Sequence, residues 1–325
     1  MNVCPSRAFR ITTPAVAAAL ALGLATLTAC SPDSPAKWDK DGKLKVTASF
    51  YPLEFLAERI GGDHVHVTGL TKPGQEPHDL ELKPRQITEL GKSGAVVYLK
   101  GLQPAVDDAV KQSGVSHIVD AASLTGQEVH GTEVDGRHHT TGDNSSHSES
   151  EHGADPHIWL DPVRYAEVAK GVGKTLAEAD PGHRADYQKN TDALVEQLGR
   201  LNQKFADGLK NRASDTFITT HAAFGYLAER YGLTEEAISG VDPESEPSAA
   251  RIKDLHRLAE EHHVSTVFFE TLASPAAART LAGDLHLKTD VLDPLEGITD
   301  KSRGRDYIEV MNANLAALQK ALGSK

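Results

Sequence analysis

Cysteine is almost absent: Cys4 and Cys30 are the only two in 325 residues, and both precede the first stretch patterned like a folded domain. That placement leaves no disulfide framework and no thiolate metal site. Basic residues are also outnumbered, 34 Lys and Arg against 46 Asp and Glu for a formal charge of -12. An acidic surface argues against nucleic acid as a partner and favours the approach of cations. The N-terminal apolar run, Ala15 to Leu27, falls short of the roughly 20 residues that a membrane-spanning helix needs. Missing too are a His-Glu-x-x-His helix and a Gly-x-Ser-x-Gly elbow, two marks of an exported hydrolase.

What is there reads as a soluble globular chain, 39% apolar and 25% charged, long enough for two ordinary domains. Arg7 and Arg10 followed by the apolar run have the form of an export leader over 1–29, and Leu27-Thr28-Ala29-Cys30 resembles a lipobox. Cleavage before Cys30 would make it a lipid-modified first residue at the cell membrane; an ordinary leader with an incidental cysteine is the other reading. Residues 30–43 are polar and carry Pro32, Pro35 and an Asp-Lys-Asp-Gly run, which suits a flexible tether.

From 44 onward short β-type runs alternate with helical patterns, which implies an α/β fold of parallel strands joined by helical crossovers. The alternation occurs twice: an N-terminal lobe over 44–180 and a C-terminal lobe over 212–325, each with roughly four strands. Between them Tyr187, Leu194, Leu198, Leu201, Phe205 and Leu209 form one apolar stripe, predicting a connecting helix over 181–211 about 45 Å long. A rod along both lobes and a helix of one lobe are both compatible with the stripe. Helix starts are also expected at Pro162, after the Asp161 cap, and at His221. The segment 125–154 interrupts the first lobe. It has almost no apolar residues but carries His130, His138, His139, His147 and His152, so it reads as a mobile loop.

Ligands of open α/β sheets sit beyond the carboxyl ends of strands, and that rule selects His78, His157, His221 and Asp293, two from each lobe. Their spacing is far wider than in a zinc finger, so only the fold can assemble them. Each alone is equally compatible with a structural role. Asp155 and Asp161, each before a proline, read as turn or cap residues.

Five stretches in order carry a resemblance. They are Glu76-Pro77-His78-Asp79, Asp155-Pro156-His157-Ile158-Trp159-Leu160-Asp161-Pro162, Thr220-His221-Ala222-Ala223-Phe224-Gly225-Tyr226-Leu227, Phe268-Phe269-Glu270 and Leu292-Asp293-Pro294-Leu295. Together they resemble the metal-binding solute-binding proteins of ABC transporters, in particular the zinc-uptake branch. The resemblance implies two βα lobes, a long connecting helix, and one metal ion in the cleft, held by His78, His157 and His221 with Asp293 or water in fourth place. Glu76 and Glu270 are then candidates for orienting imidazoles. Three nitrogens and a carboxylate suit tetrahedral Zn2+ better than Mn2+, while Cu2+ and Ni2+ stay open.

The implied role is that of a lipid-anchored, extracytoplasmic monomer, not an enzyme, which passes zinc to an ABC permease and its ATPase. Alternatives are a manganese or other divalent-metal carrier, a metal buffer or adhesin without a transporter, and an exported zinc hydrolase. The histidines of the loop would belong to no fixed site and would capture metal weakly, or would simply sit in a solvated linker.

Overall fold

Strand-forming residues appear in short runs that end at glycine, proline or a polar turn, and each run becomes a parallel strand. In the computed structural model, which describes residues 37–130 and 154–324, the first half supplies β1 (Leu44–Ala48), α1 (Tyr51–Gly61), β2 (Val65–Gly69), α2 (Pro84–Leu90), β3 (Ala95–Tyr98), α3 (Pro104–Gln112), β4 (Ile118–Asp120) and α4 (Ala122–Thr125). Two helices follow the interruption, α5 (Pro162–Ala179) and α6 (Arg184–Gly208). The second half supplies β5 (Thr216–Thr219), α7 (Gly225–Tyr231), β6 (Thr234–Ala237), α8 (Ala249–Glu261), β7 (Thr266–Phe269), α9 (Ala276–Asp284), β8 (Lys288–Val291) and α10 (Tyr307–Leu322). The sheet orders are β2-β1-β3-β4 and β6-β5-β7-β8, every pairing parallel, so the α/β reading with two four-stranded sheets holds. No described helix is long and apolar enough to cross a membrane.

The two sheets share one interior. A single buried cluster runs from Leu44 and Phe50 through Trp159, Tyr165, Tyr187, Leu198 and Phe205 to Phe217, Phe268 and Tyr307. The described residues accordingly form one compact unit. α6 carries the predicted stripe, with Tyr187, Leu194, Leu198, Leu201 and Phe205 all buried. At 25 residues, or about 37 Å, it is shorter than expected. Pro181 and Gly182 are poor helix-interior residues, and they make a separate 3-10 turn, Pro181–His183, whose Asp180 takes hydrogen bonds from His183 Nδ1 and Tyr187 Oη. The helix touches both halves: Asn190 Nδ2 donates to Ile60 O, and Gln319 Nε2 to Gly208 O.

Two other expectations change. The segment 37–43 of the expected tether folds back on β1, because Asp39 accepts from the amides of Asp41 and Lys43, Gly42 takes φ +78, and Trp38 bridges to Leu44. The helix expected from His221 starts only at Gly225: Thr219 Oγ1 donates to His221 O, Ala223 N–H to the same carbonyl, and Ala222 N–H to Gly240 O, which holds 221–224 in a tight turn. The Asp161 cap forms as expected, accepting from Val163 N–H, an interaction that stabilises a helix by about 1 kcal/mol. Its other oxygen accepts from Arg230 of α7, tying α5 to the second sheet's helices.

Candidate metal centre

Each site residue lies in a segment that leaves the carboxyl end of a strand or enters a helix. His78 follows β2, and its own amide donates to Glu76 Oε1 at 3.1 Å, so Glu76 shapes the turn that carries the ring. His157 precedes a 3-10 turn, Ile158–Leu160, whose Trp159 is buried and donates Nε1–H to Pro294 O at 2.7 Å. Asp155 fixes His157 twice, accepting from its amide at 2.9 Å and lying 2.7 Å from its Nδ1. His221 sits in the turn after β5, with Nδ1 2.6 Å from Glu270 Oε1 at the end of β7. With Nδ1 of His157 and of His221 held by a carboxylate, Nε2 is the atom each of these two rings leaves for a ligand.

The carboxylate that meets these rings is Glu296. Its Oε1 lies 3.1 Å from His78 Nε2, 3.1 Å from His157 Nε2 and 3.4 Å from His221 Nε2. One atom from each of His78, His157, His221 and Glu296 falls within 4.8 Å of the others, a spacing that a single ion can span. His157, His221 and Glu296 are at most 2% exposed, so only His78 faces solvent. His221 Nε2 and Glu296 Oε2 are buried with no hydrogen-bond partner among the described residues, as expected of atoms meant for an ion.

Asp293, the expected fourth position, lies outside this group. It is 2% exposed, accepts from Leu295 N–H at 2.8 Å and from Thr271 Oγ1 at 3.1 Å, and its backbone is held on both sides by Asn314. Leu295 has φ +60, a left-handed conformation that is costly for a branched side chain. The Asp293 turn imposes it, and the next residue, Glu296, is thereby aimed inward. Sequence reasoning stopped one residue short of this carboxylate, although a glutamate after an Asp-Pro-Leu turn was in plain view. It also left Asp155 as turn chemistry; the sign of its second role was the spacing Asp-Pro-His, which puts a carboxylate beside the imidazole two residues on.

The charges are coupled. Burial opposes a proton on His157, but hydrogen bonds to Asp155 and Glu296 outweigh it and push its pKa up to about 9. Burial likewise opposes charge on His221, and Glu270 and Glu296 carry it well above the ordinary value. Burial would raise Glu296, yet its three imidazole neighbours hold it well below the carboxylate range. Glu76 moves the other way, up to about 8, through burial and then the charge of Glu296. A divalent cation supplies the positive charge that this buried set of carboxylates favours, and it needs the imidazoles neutral.

Of the loop histidines, His130 is described: its Nδ1 lies 3.1 Å from Asp155 Oδ2. His138, His139, His147 and His152 lie outside the described residues, as do the leader and the Cys30 lipidation position.

The comparisons with known proteins agree with this architecture. The chain is 34% identical over 300 residues to the zinc-binding lipoprotein AdcA of Streptococcus pneumoniae serotype 4, covering 90% of this chain and 58% of that protein. The chain therefore spans a little under three fifths of that relative's length. It is also 34% identical over 287 residues to the high-affinity zinc uptake system protein ZnuA of Bacillus subtilis, covering 87% and 89% of the two chains. Among solved structures, the Zn(II)-bound ZnuA-like domain of Streptococcus pneumoniae AdcA superimposes with a TM-score of 0.69 at 31% identity, covering 86% of this chain and 99% of that one. Residues 46–321 match the family described as "ZnuA: Zinc-uptake complex component A periplasmic", and the chain belongs to that family.

Proposed function

We propose that the chain is an extracytoplasmic solute-binding protein that holds one Zn2+ between His78, His157, His221 and Glu296 and releases it to an ABC permease driven by its ATPase. The observation that carries this reading is the convergence of three imidazole nitrogens and one carboxylate within 4.8 Å of one another. Three nitrogens and one oxygen suit four-coordinate zinc, whereas manganese prefers more oxygen ligands. Zinc is cargo here, not a catalyst: a fourth protein ligand fills the position that a catalytic water would take. Attachment to the membrane through Cys30 rests on the Leu-Thr-Ala-Cys motif and on kinship with a protein named as a lipoprotein. A monomeric state and the division of labour between lobes and connector belong to the same reading.

Titration of the metal-free chain with Zn2+ and Mn2+ tests it. One tight zinc site is expected, abolished by His221→Ala and by Glu296→Gln. Equal or tighter Mn2+ binding, or indifference to both changes, would overturn the assignment.

A further inference from the structure

His130 does not behave as part of a structureless collector. The start of its segment is pinned: Glu128 N–H donates to Tyr226 Oη at 2.8 Å, and Asp155 N–H donates to Glu128 O at 2.9 Å. The His130 ring lies edge to face with Tyr226, centroids 4.3 Å apart, and its Nδ1 is held by Asp155. Gly225 opens α7 at this point because a side chain there would collide: an added Cβ would stand 2.4 Å from His130 Cβ, 2.6 Å from its Cγ and 2.9 Å from Asp155 Oδ2. The imidazole thus has a built seat.

With Nδ1 committed, Nε2 points outward and lies 3.4 Å from Glu229 Oε2 on α7. Glu128 completes a group in which one atom of each residue lies within 4.8 Å of the others. We infer that Glu128, His130 and Glu229 form a second, outer site for a small divalent cation of the zinc class, whose imidazole shares its orienting carboxylate, Asp155, with His157 of the inner cluster. Asp155 Oδ1 serves His157 and Oδ2 serves His130, so one fully buried carboxylate sets both rings.

One nitrogen and two carboxylates leave the remaining coordination to water. Glu128 and Glu229 are about half exposed, and Arg164 also donates to Glu128 while its guanidinium lies over Tyr226. That cation keeps Glu128 in place and weakens its hold on a metal ion, so the outer site binds less tightly and exchanges faster than the inner one. This goes beyond the proposed single-ion carrier and does not depend on it.

The test is calorimetric titration of the full chain with Zn2+ alone. So that the loop histidines cannot contribute an equivalent of their own, the starting variant replaces His138, His139, His147 and His152 with alanine. It is expected to bind two equivalents, the second weaker. Glu229→Gln and His130→Ala added to it should each remove the second equivalent and keep the first. Gly225→Ala should do the same by displacing the His130 ring. His221→Ala should remove the first and keep the second, so failure of the inner-site reading is scored separately. Asp155→Asn should weaken both. A starting variant that binds a single equivalent, or a second equivalent that survives His130→Ala with Glu229→Gln, would overturn the outer site.

Discussion

The two halves of the molecule have the same strand order and supply their site residues differently. In the C-terminal half, β8 is followed within one tight turn by Glu296, and β5 is followed at once by His221; both are buried, and His221 is set by Glu270 from the neighbouring strand β7. In the N-terminal half, β4 leads into the long histidine-bearing segment before the chain returns with His157, and His78 stands in an open loop with its side chain 12% exposed. The two second-half residues of the cluster are buried, and of the two from the first half His157 is buried and His78 is the one left partly exposed.

That contrast can be broken most directly in the second half. Glu296→Gln or His221→Ala should weaken zinc binding by more than about a hundredfold, exceeding the 10–100-fold typical of an orienting partner. Next, Glu270→Gln should cost about 10–100-fold while leaving the fold intact by circular dichroism, since it frees the His221 ring without removing a ligand. Asp293→Asn sharpens the comparison from the other side. An asparagine makes the same turn, so zinc affinity should change by less than about tenfold, or 1.4 kcal/mol. A loss as large as that of Glu296→Gln would restore Asp293 as the ligand.

The smallest effect is that of pH. The folded, metal-free pKa of His157 is about 9 against an ordinary 6.5. A raised folded value stabilises the metal-free protein fully below pH 6.5, and that stabilisation is lost as pH rises through 9. Zinc requires the neutral ring, so its competitor disappears over the same window. The rise in Tm on adding zinc should therefore be greater at pH 9 than at 6.5, and a flat or inverted dependence would place the protons elsewhere.

The alternation of strands and helices was legible because each strand is a short apolar run and each helix has a proline or a cap at its start, as at Pro84, Pro104 and Pro162. That His78, His157 and His221 come together was legible because strand ends mark where side chains converge in this architecture. That Glu296 and not Asp293 joins them was not legible, because the two stand on one turn and sequence does not show which carboxylate turns inward. That depends on Leu295 adopting φ +60, a choice imposed by Asp293, Thr271 and Asn314 from separate elements. The start of α7 was misplaced for a similar reason: Thr219 and Gly240 hold the His221 turn out of helical conformation through contacts that no local pattern reveals. The seat of His130 needed Tyr226, nearly a hundred residues away.

The ties across the cleft have a thermodynamic consequence. Arg230 grips Asp161, Trp159 reaches Pro294 O, and Tyr307 Oη reaches Trp159 O at 2.6 Å, all within one shared core. On the proposed reading the cluster is ordered when the chain folds, and an arriving ion meets groups already in place. Small-angle scattering is then expected to give the same radius of gyration with and without zinc.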